Sequence, residues 1–412
     1  MLNLFSKLVE AYRNANLIVR ILIGLIIGVI LGVTIPDLTF VAILGKLFVG
    51  ALKAMAPVLV LVLVVSSVAK ARNGLGKRFS SVITLYMAST LIAAVIAVFA
   101  SFLFPITLKL PGVETVESVP NELKDVFMAL AADLISNPLL AVSNAMYLSI
   151  LFWAIVIGVA LRKKASNQTI DCLHDLAETI TLVVQWIIRC APFGILGLVY
   201  TSVSESGIEI FTTYGKLVLL LVGCMMFTSL IINPIISSLM LRRNAYPLLW
   251  RCLKESAVNA FFTRSSAANL PVNLTLCQRL GLSEDFYSVS IPLGCTINMD
   301  GAAVTITVMT LATCFTQGID VSLGSALTLS VLATLAACGS SGVPGGSLLL
   351  IPMACSLFGI SQDISMQVVA VGFIISVIQD SVETALNSSG DVMFTATADF
   401  YERQKAGEKI DF

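Results

Sequence analysis

Apolar runs long enough to cross a hydrocarbon core of ~30 Å recur from one end of this chain to the other. They predict spanning helices near 15–36, 39–69, 80–106, 145–161, 178–201 and 213–241, then again at 286–316 and, bearing acids, at 363–391. Two further apolar segments are broken. Residues 250–280 are interrupted by "TRSSAANLP", and 322–360 by "CGSSGVPGG", where four glycines and a proline fall between Gly339 and Gly346. Glycine and proline weaken or break a helix. Broken backbone at membrane depth persists only where protein buries it or a polar cavity receives it. The pattern predicts an all-α polytopic membrane protein, with eight transmembrane helices and two re-entrant helical hairpins.

Charge in the connections orients these elements. Lys70, Arg72, Lys77 and Arg78 lie between the second and third spans, Arg162, Lys163 and Lys164 follow the fourth, and Arg242 and Arg243 follow the sixth. The intervening loops are acidic, with Glu114, Glu117, Glu122, Asp125 and Asp133 in one and Glu205 and Glu209 in the other. By the positive-inside rule the basic loops and both termini are cytoplasmic. The segment 250–280 then begins and ends inside, while 322–360 enters from outside. From 250 onward the chain reads hairpin–span, hairpin–span with opposite entry sides. Such an inverted repeat builds a transport site at the midplane between broken elements. The expected units are spans one and two over 1–79, span three over 80–106, an external loop over 107–140, and spans four and five over 141–212. Span six follows over 213–249, hairpin one over 250–285, span seven over 286–320, hairpin two over 321–362, span eight over 363–392 and a cytoplasmic tail over 393–412.

Composition excludes other classes. Of 412 residues, 57% are hydrophobic and 12% charged, against about 25% charged in soluble domains. Net charge is zero, so there is no electrostatic footprint for nucleic acid. The nine cysteines form no CxxC pair, and a single histidine, His174, leaves no His-based metal site. That histidine, in a cytoplasmic connection, is also badly placed to activate a serine, and G-x-S-x-G is absent. An intramembrane serine protease is therefore disfavoured. The first apolar run, from Leu17, is too long for a signal-peptide core and no A-x-A site follows, so it reads as a span.

Polar residues inside the spans carry the chemistry. In "IQDSVETALNSSGD", Asp380, Glu383, Thr384, Asn387 and Asp391 fall at i, i+3, i+4, i+7 and i+11, one stripe at about 100° per residue. Carboxylates near the bilayer centre cost roughly 2.5–3.5 kcal/mol each, so they face a partner or a cavity. In "PLGCTINMDGAAV", Asn298 and Asp300 are two apart and would diverge on a regular helix, so unwinding is expected at Asn298–Gly301. The hairpin tips offer Arg264, Ser265 and Ser266 in one case, and Ser340, Ser341 and free amides in the other. Amides at helix ends cradle a carboxylate. Together these groups suit a zwitterion: hairpin amides and Asn387 for its carboxylate, Asp380 for its ammonium. The remaining carboxylates and unwound carbonyls suit cations. The residues thus predict a cation-coupled carrier of a small amino or carboxylic acid, with no cofactor beyond the coupling ion. Whether that ion is Na⁺ or H⁺ stays open here, since Asp380, Glu383 and Asp391 can carry protons.

Four motifs in this order ("RSSAANLP", "NMDG", "GVPGG" and D-x-x-x-T-x-x-N-x-x-G-D over 380–391) resemble the dicarboxylate/amino acid:cation symporters, the glutamate transporter homologues, along essentially the whole chain. Within them the sequence is similar to the bacterial sodium:serine/threonine branch. An archaeal relative is itself a known case of inverted-topology repeats. The resemblance implies a substrate ammonium against Asp380 and a carboxylate near Ser266, the Gly342–Val343 backbone and Asn387, with Thr384 alongside. It implies one sodium site from the backbone oxygens of Gly294, Asn298 and Asn387 with the Asp391 carboxylate. A second would use main-chain oxygens of Thr296, Ala337, Cys338 and Ser340. A third would join Asn298 and Asp300 to Tyr86, Ser89 and Thr90. It also implies a homotrimer in the bacterial inner membrane, with spans one, two, four and five as scaffold and the rest as a moving unit.

Departures from the family pattern bear on substrate. Acidic-substrate members carry arginine where this chain has Glu383; the family threonine after "NMDG" is also missing, and Ala302 in its place removes a polar contact and widens the pocket. A substrate carboxylate left unpaired beside Glu383 in a dry site is costly through desolvation and like-charge repulsion. Small neutral amino acids, serine and threonine first, are expected instead, with Glu383 or Thr384 accepting a hydroxyl hydrogen bond. Arg264 and Glu383 are expected to pair and leave the pocket neutral.

Overall fold

The computed structural model describes residues 15, 17–36, 38–70, 77–108, 110, 135–144, 146–207, 210–338, 340 and 344–408. Every regular element among them is helical. The external-loop acids Glu114 to Asp133 and the hairpin-tip residues Gly339, Ser341, Gly342 and Val343 lie outside the described residues. In chain order the helices are α1 (Leu17–Thr34), α2 (Thr39–Lys70), α3 (Lys77–Leu103), the short α4 (Pro138–Ser143), α5 (Tyr147–Lys164), α6 (Asn167–Arg189) and α7 (Ala191–Ser206). Then come α8 (Ile210–Leu241), α9 (246–263), α10 (Ser266–Arg279), α11 (Glu284–Ile297), α12 (Asp300–Thr316), α13 (Leu323–Ala337), α14 (Ser347–Ser356) and α15 (Gln362–Lys405). Five are long and apolar enough to cross a membrane, counting α11–α12 as one, and the bent pair α6–α7 makes a sixth. The chain is a multi-pass membrane protein.

Two stretches differ from expectation. The fifth predicted span is two helices meeting at 53°. The bend falls at Cys190, with Pro192 in the first turn of α7, where a missing N–H costs nothing. Helix α6 starts upstream of the predicted run, its end capped by Ser166, which accepts from the Thr169 amide. At the other end, α15 does not give way to a polar tail after Asp391. It continues to Lys405, and residues 392–400 are all buried. The helix end is tied down at Asp399, which accepts from Arg78 Nη1 at 3.3 Å and from the Ser283 hydroxyl at 3.1 Å.

Packing sorts the helices. Helix α1 lies along α7, and α2 packs on α5, α6 and α7. The first contact is made by a stripe of small residues, Gly24, Gly28 and Gly32, against Pro192, Leu196, Tyr200 and Val203. Small residues let membrane helices approach until backbones touch. A Cβ at Gly28 would stand 2.6 Å from the Leu196 carbonyl oxygen, and no rotamer change can move that backbone atom. Gly28→Leu should therefore split this pair apart, with the overpacking cost of about 1–3 kcal/mol. Thermal unfolding of the purified variant, followed by size-exclusion chromatography, should show it several degrees less stable.

The other elements gather around α12 and α15. Residues 300–314 of α12 are buried on every side, and α15 touches α3, α8, α9, α10, α11, α12 and α14. Helix α9 and helix α10 fold back on each other across Arg264 and Ser265, and their polar residues bind α15. Asn269 donates to Ser256 Oγ (2.9 Å) and Ser388 Oγ (2.8 Å), and Asn273 donates to the Ser388 carbonyl (3.0 Å). A buried polar network of this kind is stable only when its members find partners.

Candidate functional site

The site begins where the seventh span breaks. Helix α11 ends at Ile297, Asn298 and Met299 are non-helical (φ −92°, ψ 82° and φ −125°, ψ 50°), and α12 starts at Asp300. The expected unwinding is thus confined to two residues. The freed Met299 amide donates to Thr90 Oγ1 at 3.3 Å, and the Gly301 amide donates to Asn387 Oδ1 at 2.8 Å. A Cβ at Gly301 would lie 3.0 Å from Glu383 Cα, so α12 and α15 approach closely only because that position is glycine.

Asn298, fully buried, joins two groups. Its Nδ2 donates to the Asn387 carbonyl (3.1 Å) and to Asp391 Oδ1 (3.0 Å). On the same side, a Cβ at Gly294 would meet Asp391 Oδ1 at 2.8 Å and the Tyr86 hydroxyl at 2.9 Å, so Gly294 is directly against the carboxylate. Gly294, Asn298, Asn387 and Asp391 therefore form one cluster, joined by the Cys295 thiol at 3.5 Å from Asp391 Oδ2. The Asn298 Oδ1 faces the other group. Ser89 Oγ lies 3.4 Å from it and donates to Asp300 Oδ1 at 2.9 Å, while Thr90 Oγ1 donates to the same oxygen at 3.1 Å. The Tyr86 carbonyl accepts from Ser89 (3.0 Å). The Tyr86 hydroxyl points the other way, to Thr395 Oγ1 (2.8 Å) and the Asp391 carbonyl (3.1 Å). Near the break, Cys338 Sγ lies 3.8 Å from the Ile297 carbonyl, and the Ser340 amide donates to the Ala337 carbonyl. Thr296 is half-buried, its hydroxyl spent on the Leu293 carbonyl.

About two turns before Asn387 on α15, Asp380 ties both hairpins together. Arg264 Nε donates to its Oδ2 at 2.6 Å, and the Gly345 amide to its Oδ1 at 3.2 Å. Arg264 holds this position in the left-handed region (φ 51°) as the cap that ends its helix, a conformation uncommon for a residue with a side chain. Gly345 also has positive φ (74°), and a Cβ there would press on the Phe373 ring at 2.9 Å. The anticipated Arg264–Glu383 pair is not formed. Glu383 Oε2 instead accepts from Gln379 Nε2 (2.6 Å), Thr305 Oγ1 (2.7 Å) and Ser347 Oγ (2.9 Å). These neutral donors converge on that one oxygen, and Asp380 stands where the αL turn aims the guanidinium. Ser265 caps α10 by accepting from the Ala268 amide, Ser266 is buried at the start of that helix, and Thr384 is buried beside Glu383.

The charge balance of this region is uneven. Buried carboxylates are Asp300, Asp380, Glu383, Asp391 and Asp399, whereas Arg264 is the one buried cation among the described residues. Asp380 has Arg264, and Asp399 has Arg78 and Arg403. Asp300, Glu383 and Asp391 have neutral donors alone among the described residues. Their surroundings are hydroxyl, amide and backbone oxygens, the ligand set of a hard cation.

A family model described as the sodium:dicarboxylate symporter family matches residues 17–400. The chain belongs to the sodium:dicarboxylate symporter family. Proteins named serine/threonine transporter SstT are close in sequence along nearly their full length. The one from Bifidobacterium adolescentis is 52% identical over 401 residues, covering 97% of this chain and 93% of that protein. Those from Streptococcus agalactiae serotype III and Streptococcus thermophilus LMG 18311 are 53% and 52% identical, each covering 96% of this chain and 98% of theirs. This symporter is accordingly a transporter and not an enzyme.

Several residues of the symporter's site escaped the sequence reading. Gln379 is at i−4 from Glu383 and could have been found by helical spacing. Asn269 and Asn273 are likewise i, i+4 within "NLPVN". Thr305 and Ser347 resemble ordinary small polar residues in apolar segments, and nothing local singles them out. Asn233, whose Nδ2 donates to Asp300 Oδ2 at 2.9 Å, comes from α8, a span that looked plain.

Proposed function

We propose that this protein imports small neutral L-amino acids, serine and threonine first, by Na⁺-coupled symport with alternating access. The observation that carries the reading is the set of three buried carboxylates, Asp300, Glu383 and Asp391, with neutral donors alone among the described residues. Uncompensated charge in a membrane interior is expensive. Two of the three sit among oxygen ligands beside a broken helix, and a cation entering from solution neutralises them. The name of the family couples sodium to its substrates, and the named relatives transport serine and threonine.

Substrate class follows from Glu383 and Asp380. With Glu383 buried and Asp380 already balanced by Arg264, the described residues of the pocket offer no spare cation for a second substrate carboxylate. A substrate hydroxyl has acceptors at Glu383 and Thr384. The zwitterion's ammonium competes with Arg264 and Gly345 for Asp380, and its carboxylate meets Ser266, Asn387 and the Gly342–Val343 backbone. Sodium ions take the Asp391 cluster, the Asp300 cluster and the carbonyls at Thr296, Ala337, Cys338 and Ser340. In this reading the helices form eight spans and two re-entrant hairpins, with α1, α2, α5, α6 and α7 as scaffold. The protein is a homotrimer of the bacterial inner membrane with cytoplasmic termini. Protons are a second way to neutralise the same three carboxylates, so proton coupling is the competing reading.

Uptake of labelled L-serine into proteoliposomes separates the two. An inward Na⁺ gradient should drive accumulation that threonine blocks and aspartate does not. Accumulation driven by an inward H⁺ gradient in Na⁺-free buffer would overturn the sodium assignment, and strong competition by aspartate would overturn the substrate class.

A further inference from the structure

We propose that Asn233 belongs to the cation site built on Asp300, an inference that rests on the Na⁺-coupled reading above. Its amide nitrogen holds the carboxylate in place, and its carbonyl oxygen is a ligand for the ion. Asn233 is 2% exposed. Only its Nδ2 end can donate to a carboxylate, and it does so to Asp300 Oδ2 at 2.9 Å, which leaves Asp300 Oδ1 to Ser89 and Thr90. The other end of the amide, Oδ1, is buried with no hydrogen-bond partner among the described residues. A buried acceptor without a donor is rare and calls for a reason. Here the reason is at hand: the oxygen adjoins a carboxylate whose partners among the described residues are all neutral.

The backbone is adapted to deliver this residue. Helix α8 widens into a π turn at Thr228–Ile232, closed by the Asn233 amide donating to the Thr228 carbonyl. Pro234 follows at once, and it could not have donated the next helical bond. Single π turns of this kind recur at functional sites, because the inserted residue re-aims the side chains that follow. The span-six contribution thus completes a ring around Asp300 from α3, α8 and the α11–α12 break.

The test reads binding without transport. Purified protein in detergent, without substrate, is unfolded thermally over a Na⁺ series at constant ionic strength with choline. The wild type should be stabilised saturably. Asn233→Leu should move the midpoint of that stabilisation about tenfold upward, the usual effect of losing a residue that supports a metal ligand. It should phenocopy Asp300→Asn, and the double variant should be no worse than either single one. Asn233→Asp keeps the acceptor but sets a second carboxylate against Asp300. It should be less stable than wild type in choline and gain more from Na⁺; if Asn233→Leu does not fold, this variant decides. Unchanged Na⁺ midpoints in both variants, with a responsive wild type, overturn the role of Asn233 alone. A wild type indifferent to Na⁺ overturns both this role and the sodium reading it rests on.

Discussion

Replacing Arg264 by methionine should destabilise the protein by about 3–5 kcal/mol, the cost of stranding one partner of a buried ion pair, and impair serine uptake with it. Both side chains are buried, and the 2.6 Å bond is short even for a charge-assisted one. Without the guanidinium, Asp380 keeps the Gly345 amide and nothing of opposite charge among the described residues. Its charge would then be stranded between the two hairpins. Asp380→Leu in the same chain removes that charge, and a buried pair replaced by apolar residues is often no less stable than the pair itself. The double variant Arg264→Met/Asp380→Leu should therefore recover most of the lost stability. It should not recover transport, because the carboxylate proposed for the substrate ammonium is gone. Thermal unfolding of the four proteins, paired with uptake assays, measures both. If the double variant is as unstable as the sum of the singles, the pair is not the unit described here. If Arg264→Met transports normally, the link between the two hairpins through Asp380 has no part in the cycle.

That pair also shows what a sequence can and cannot convey. Asn298 and Asp300, two apart in an apolar run flanked by glycines, can serve one site only if the helix breaks, so the break is legible in the sequence. The stripe from Asp380 to Asp391 was legible for the same reason: helical spacing is a local property. Which stripe residue Arg264 would meet was not. Asp380 and Glu383 are less than one turn apart on α15, and the choice depends on how deep the first hairpin sits and on the left-handed turn at Arg264. Neither is encoded in spacing. The end of α15 differs from expectation because "YERQKAGEKIDF" is polar and marks a tail, yet Asp399 just before it is buried by partners from α3 and the α10–α11 turn, far away in sequence. The bend at Cys190 lies inside the predicted span 178–201, and Arg189 and Pro192 beside it are its local mark. Asn233 was passed over because one polar residue in a span has no partner until the fold supplies Asp300.

Glu383→Arg should reverse the substrate preference. The site around Glu383 can take the change without collapse. Its three donors are adaptable: the hydroxyls of Thr305 and Ser347 can turn to accept, and Gln379 Oε1 is buried with no partner among the described residues, ready for a guanidinium donor. The charge balance changes by two units in a buried volume that already holds the neutral Arg264–Asp380 pair. Serine brings no charge to offset this, and it loses the carboxylate that accepts from its hydroxyl. Aspartate brings one further carboxylate and finds a partner for it. Loss of a substrate hydrogen bond together with charge repulsion on the ammonium should lower the catalytic efficiency for serine at least ~100-fold, about 2.7 kcal/mol. Competition by aspartate should appear where none is expected of the wild type. Glu383→Gln is the control: it keeps size and a carbonyl acceptor, adds no cation, and should weaken serine uptake without admitting aspartate. Uptake of both labelled substrates by the three proteins under one Na⁺ gradient decides the matter. A Glu383→Arg protein that still carries serine and ignores aspartate would mean that substrate charge is read elsewhere in the pocket.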